Sequence, residues 1–429
     1  EKPVFTGITR GIGGFGLGGK SSSNWIATLG GTSNDFGDSI AIDSSGNVYI
    51  VADTLSDGAG GFDMLIAKYN SSGTIQWQRT FGGTSNDYGE GIAIDSSDNI
   101  FALSSQDIVK YNSSGTFQSR IQNPRDYAVG IAIDSSGNFY TFSDVTVHID
   151  KYNSSGTHQW QRTLTRADGY HLDAHDIAVD SSGNVYVIGD QVDTSYVFPT
   201  KLFVAKYNSS GTLQWKVAFG NDGSGQHNFL GRGIAVDSSD NVYVVGQGQS
   251  STNFRDVFIA KLDNSDGTSQ WQRALGGGGT GEHIGQQIAF DSSDNVYIIG
   301  ETESGAGGDD ILIAKYNSSG TIQWQRTIGG TGDERGRGIA IDSSDNVYIV
   351  GSVRPSNYDI ITARIDKDGS FAGNYEFLTI ASSSLTSSDP NISAGVAQFT
   401  SSVSNLQPIG LPTKTSDVSN LTSSFIPLV

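Results

Sequence analysis

The sequence predicts an all-β protein, a seven-bladed β-propeller of four-stranded antiparallel blades closed by a strand from the N-terminal region. Three observations carry this expectation. Two short phrases alternate seven times along the chain, each phrase has the composition of a β-hairpin, and the strand missing from the last repeat stands at the start of the first.

The first phrase, Ile-Ala-Ile-Asp-Ser-Ser-Gly-Asn-Val-Tyr, begins at Ile40 and returns with small changes at Ile92, Ile131, Ile177, Ile234, Ile288 and Ile339. The second, Ala-Lys-Tyr-Asn-Ser-Ser-Gly-Thr-Ile-Gln-Trp-Gln-Arg, begins at Ala67, with relatives at Val109, Asp150, Ala205, Ala260, Ala314 and Ala363. Spacings of 39 to 57 residues between successive copies of the first phrase suit propeller blades. In the first phrase Ile40-Ala41-Ile42 reads as a short strand, Asp43 to Asn47 as a turn, and Val48 to Val51 as the returning strand. In the second, residues 64–69 and 74–80 flank the Asn70-Ser71-Ser72-Gly73 turn, and alternation puts Ile75 and Trp77 on one face. Two hairpins make one four-stranded blade, too small to bury both faces alone but able to do so by stacking on its neighbours.

The fourth strand carries a tryptophan at Trp77, Trp160, Trp215, Trp271 and Trp324, while the second repeat has Ser119. The seventh repeat decays after Gly369 without a fourth strand. Its counterpart is Asn24-Trp25-Ile26-Ala27-Thr28-Leu29-Gly30-Gly31, which parallels Gln76 to Gly83. Residues near 24–30 are therefore expected to pair with 359–366. This closure removes the open edges of the ring.

Outside the ring, residues 1–20 form a glycine-rich arm, 21–371 the propeller, and 372–429 an attachment or oligomerisation tail of Ser, Thr, Leu and Pro. Apolar residues spaced through the tail, from Ile380 to Leu406, indicate that it packs against something. The chain starts at Glu1 and its one methionine is Met64, so a trimmed start is expected.

Composition narrows the function. The 429 residues include 56 glycines and no cysteine, and the formal net charge is −19. Cysteine chemistry is thereby excluded, and so strong a negative charge makes nucleic acid and membrane surfaces poor partners. The seven turn aspartates, Asp43, Asp95, Asp134, Asp180, Asp237, Asp291 and Asp342, suggest calcium or catalysis, but Asp in such a turn binds backbone amides two residues on. Five residues before each first-strand Ile stand Asp35, Asp87, Asp126, Leu172, Phe229, His283 and Glu334, which make no sevenfold metal ring. The most divergent segment, 168–176, is read as a polar contact loop, with Asp168, Tyr170, His171 and His175 as partner-binding candidates. His171, His175 and Asp173 are its candidate metal ligands, but a four-residue histidine spacing aligns ligands on a helix, and none is expected. No cofactor is expected, and no nucleophile elbow, phosphate loop or pair of catalytic carboxylates stands out.

The repeated Asp-Ser-Ser-Gly-Asn-Val-Tyr, Tyr-Asn-Ser-Ser-Gly-Thr and Trp-Gln-Arg phrases over residues 24–370 resemble the SBBP propeller-repeat family. The resemblance implies a propeller of the kind found in bacterial extracellular proteins and phage structural proteins, without one activity. The arm from Phe5 to Gly16 is similar to N-termini of phage virion proteins. The expected function is a non-enzymatic structural and adhesive role in a virion (tail fibre, spike or surface decoration) or outside the cell. Expected partners are other structural proteins of that assembly, a host-surface glycan or protein, and further copies of itself. A bacterial adhesin and a propeller glycosidase or lyase are the alternatives.

Overall fold

A computed structural model describes residues 24–370, except 57–59, 123–126, 144–146, 166–169, 194–199, 221–227, 250–254, 277–280, 304–307 and 355. It also describes five short tail strands between 373 and 403. The arm 1–20 and two residues singled out from sequence, Asp126 and Asp168, lie outside the described residues.

The described chain forms seven antiparallel sheets. Six blades take their strands in chain order, at 35–81, 89–122, 128–165, 170–219, 229–276 and 283–329. The seventh combines Arg335–Ile341, Val347–Val353 and Asp359–Ile365 with Trp25–Leu29 as its outer strand. Trp25 faces Arg364 and Leu29 faces Ile360, which is the closure the sequence predicts. The second and third strands are apolar almost throughout because a blade in mid-stack is covered on both faces. Each core cluster accordingly draws on two adjoining blades. One joins Ile299, Ile311 and Ile313 to Ile339, Ile349 and Ile361, and Ile26 of the closing strand completes it.

The turns behave as their residue types dictate. Asp43 Oδ1 accepts the amides of Ser45 (3.0 Å) and Asn47 (2.8 Å), and Tyr49 donates its hydroxyl to Oδ2 at 2.9 Å. Burial alone would raise the Asp43 carboxyl, but Asn47, Tyr49 and the charge of Lys68 hold it below its usual value. Tryptophans tie every blade but the second to the next: Trp77 Nε1 donates to Ser113 O at 3.2 Å, and Trp215 Nε1 to Asn264 O at 2.8 Å.

The tail is not an appendage apart from the ring. Its strands add a fifth or sixth strand to four blades, walking backwards round the ring from the sixth blade to the third. Ile380 pairs with Ile328, Ser387 with Leu275, Ala394 with Phe219 and Ser401 with Leu164. Each ring partner lies four residues beyond a blade tryptophan, and the tail partners fall seven residues apart. The expectation that the tail packs against something is met by the propeller's own outer edges.

Candidate functional site

Every blade places its first strand at the ring axis, and every first strand carries a β-bulge at the same point. The register shifts fall at Asp38, Glu90 and Val129 in the first three blades. They fall at His175, Arg232, Gln286 and Arg337 in the other four. A bulge leaves one residue unpaired and re-aims its side chain. All seven bulged residues line a single cavity of about 650 Å³, together with the seven isoleucines that open the repeat phrase. The isoleucines are the same in all blades, whereas the bulged residues range over two acids, two arginines, a histidine, a glutamine and a valine.

Local sequence explains the bulges. The residue just before them is Gly in five blades and Ala in two, because the inner strand presses on the preceding blade there. A Cβ on Gly231 would lie 2.6 Å from Ile188 Cγ1. Asp190 of the fourth blade accepts the Gly231 amide at 2.7 Å, and Asp53 of the first blade accepts the Gly89 amide at 2.7 Å. Side chains at this second-strand position thus fix the bulge of the next blade.

They also brace the channel residues. Asp190 Oδ2 lies 2.9 Å from His175 Nε2, and Arg232 Nη1 lies 3.1 Å from His175 Nε2 and 3.3 Å from Nδ1. Glu301 Oε1 accepts Gln286 Nε2 at 3.4 Å and lies 3.7 Å from Arg337 Nη2. Ser105 Oγ donates to Glu90 Oε1 at 3.2 Å. One step deeper, Asp176 Oδ2 accepts the Ile234 amide (2.8 Å) and Gln287 Nε2 (3.1 Å), joining three blades across the axis.

The ring is electrically polarised. Blades one and two contribute Asp38 and Glu90, while blades four to seven contribute His175, Arg232, Gln286 and Arg337. Burial, and then the charge of Asp53, drive the Asp38 carboxyl well above its usual range, with Arg337 opposing. Burial raises Asp53 to about 7 against the stabilising Gly89 amide, and Glu90 adds to the rise. Asp176 is pushed by burial to about 6 although three hydrogen bonds favour its charged form. Asp38 Oδ2 is closed off from solvent and has no hydrogen-bond partner among the described residues.

The candidates from sequence fare differently. The segment after 169 is no loop: Tyr170–Val179 is a strand, with Tyr170 opposite Asp193 and His171 opposite Val192. Leu172 and Ala174 turn inward while His171 is exposed, the alternation of a half-buried strand. Among the described residues, His175 is the one candidate of that segment that reaches the channel. Among the described residues no three His, Asp or Glu side chains converge as a metal site, so His171, Asp173 and His175 do not form one. The carboxylates five residues before the Ile serve the interblade loops. Asp35 accepts the Gly31 amide at 2.9 Å, Asp87 the Gly83 amide at 2.8 Å and Glu334 the Gly330 amide at 2.8 Å. Arg232, Arg337, Glu90, Asp38 and Gln286 were missed, although the signal was present: they stand two residues before the repeated Ile, where the seven blades carry six residue types.

Three stretches of the chain, 24–58, 159–190 and 230–255, match SBBP, the beta-propeller repeat. No curated protein matches the chain. Among solved structures, that of U3-55K is similar with a TM-score of 0.55 at 12% identity, covering 81% of this chain and 100% of that one. The crystal structure of the WD40 beta propeller domain of Doa1 is similar with a TM-score of 0.51 at 13% identity, covering 78% and 95%. At such identities the likeness is one of fold alone. With seven closed blades and these repeats, the chain is a seven-bladed β-propeller carrying SBBP repeats.

Proposed function

We propose that this protein is a non-enzymatic structural and adhesive component of a virion or extracellular assembly, whose propeller binds a host or partner molecule at its channel. The observation that carries the reading is the ring of seven bulges. A scaffold repeated almost unchanged seven times varies where its side chains meet in one cavity, as a binding site on a rigid frame would. The tail supports the structural half of the reading, because it locks round the outer edges and stiffens the ring. Electron microscopy of native particles labelled with an antibody to the full chain tests the location. Label on the exterior of a virion or cell is expected; label confined to the cell interior overturns the reading.

A second reading, a glycosidase or lyase, has one observation in its favour. Asp38 and, just behind it, Asp53 are carboxyls of raised proton affinity beside Glu90 at one side of the channel, and a general acid needs such a group. Release of reducing ends or unsaturated products from polysaccharides by the full chain, abolished in Asp53→Asn, would establish it.

A further inference from the structure

The two arginines of the channel are held differently from every other arginine of the ring. Arg79, Arg273 and Arg326 lie on outer strands and donate Nε to the carbonyls of Gly115, Gly320 and Gly369, as mortar between blades. Arg232 and Arg337 instead stand at bulges on the axis, two blades apart, with Gln286 between them. Each is steadied from behind, Arg232 by the Asp190–His175 pair and Arg337 by Glu301, so each guanidinium keeps donors for a ligand. Two guanidiniums flanking a carboxamide form an arc that matches a carboxylate, since planar forked donors bind its two oxygens together.

Asp38 of the first blade stands beside Arg337 of the seventh, while Glu90 and Val129 of the second and third blades face the arc from across the axis. Asp38 Oδ2 is shut off from solvent, so on the wall facing the arginines the polar side chain open to a channel ligand is Glu90. The Glu90 carboxyl offers acceptor oxygens to which a sugar hydroxyl donates. It does not offer the dense negative charge that a metal ion or ammonium group would need. A cavity of about 650 Å³ accommodates a ligand of one or a few sugar rings.

From this arrangement we infer that the channel binds a carboxylated sugar, its carboxylate held by Arg232, Gln286 and Arg337 and its hydroxyls by Glu90. The inference rests on the binding role proposed above and names the chemical class of the ligand. Val129, the apolar member of the ring, suits the C–H face of a pyranose, and the bulges keep all donors on one rigid frame.

Calorimetry with the full chain tests this, using galacturonic acid and a short galacturonate oligomer against galactose, acetate and inorganic phosphate. Saturable binding of the galacturonates is expected, at least tenfold tighter than galactose, acetate or phosphate. Arg232→Gln and Arg337→Gln should each weaken it at least tenfold while the thermal unfolding curve stays that of a folded ring. If Arg232→Gln fails to fold, Glu90→Gln, which keeps size and hydrogen bonding, gives the same reading from the opposite wall. Equal binding of acetate, phosphate and galacturonate would reduce the site to one for any anion and overturn the sugar assignment. Absence of galacturonate binding, or binding indifferent to both arginine substitutions, overturns the inference entirely. Capture of intact host cells by the full chain, scored alongside, separates the two levels. Cells captured equally by the wild type and the Arg337→Gln variant leave the adhesive reading standing without the sugar.

Discussion

His175 stands between Asp190 and Arg232, its Nε2 2.9 Å from the Asp190 carboxylate and 3.1 Å from Arg232 Nη1, which also lies 3.3 Å from Nδ1. Near-equal distances to both ring nitrogens place the guanidinium over the imidazole face, so the Asp190 contact that fixes the ring also sets the guanidinium's position. Asp190→Asn replaces the acceptor by a group that can present a donor, while leaving the Gly231 amide a carbonyl to bond. A loss of about 1–3 kcal/mol is expected, the usual cost of disrupting a buried hydrogen-bonded charge. Urea unfolding monitored by tryptophan fluorescence measures it.

The glycine turns separate backbone strain from steric contact. Gly46 has φ 77° with open space where a Cβ would sit, whereas Gly115 has φ 76° and its Cβ would approach Trp77 Cδ2 to 2.8 Å. Gly46→Ala should cost about 1 kcal/mol, the penalty of left-handed backbone alone. Gly115→Ala should cost roughly 1–3 kcal/mol more, because the rigid indole between two blades must shift. Equal losses in thermal or denaturant unfolding would show that the indole stack is loose.

Closure depends on one strand. Trp25 stacks on Tyr69 with ring centroids 6.0 Å apart and donates Nε1 to Ser71 O at 3.0 Å, bridging the seventh blade to the first. Trp25→Ala should lower stability by about 3 kcal/mol. Deleting residues 1–30 should expose the edge of the Asp359–Ile365 strand and yield aggregating protein. Light scattering and unfolding curves report both.

Channel carboxyls make stability depend on pH. Folded Asp53 keeps its proton to about pH 7 and Asp176 to about pH 6, whereas unfolded aspartates release theirs near 4. Between those limits the folded state binds more protons than the unfolded one. This contribution is therefore greatest near pH 4, declines as pH rises, and is exhausted once pH passes about 7. The turn carboxyls Asp43, Asp95 and Asp291, held low, act in reverse and lose their stabilisation as pH falls below about 4. Melting temperatures between pH 5 and 8 should fall with rising pH in the wild type and fall less in Asp53→Asn.

Blade count, strand boundaries and the closing strand were legible in the sequence because each follows from local chemistry. The turns need their Asp, Ser and Gly, and the tryptophan marks the outer strand even at Trp25, far from its blade. The channel was harder to see. A bulge breaks the two-residue alternation, so Arg232 and Arg337 read as outward residues of a strand and not as residues facing the axis. Comparing blades at Asp35 and Asp87 found carboxyls that cap loops, because those positions lie beyond the strand's inner end. The Tyr170–Val179 strand looked like a loop because charges and histidines occupy its outward positions, though Leu172 and Ala174 kept the inward pattern. Tail strands join the ring by backbone pairing, which asks little of residue type, so their partner was not written in composition.

The most direct measurement is an electron cryomicroscopy map of the full chain bound to its natural partner or glycan. Density filling the channel and touching Arg232, Arg337 and Glu90 is the predicted result. Partner density confined to the outer strands or the interblade loops, with the channel holding only solvent, would contradict the account.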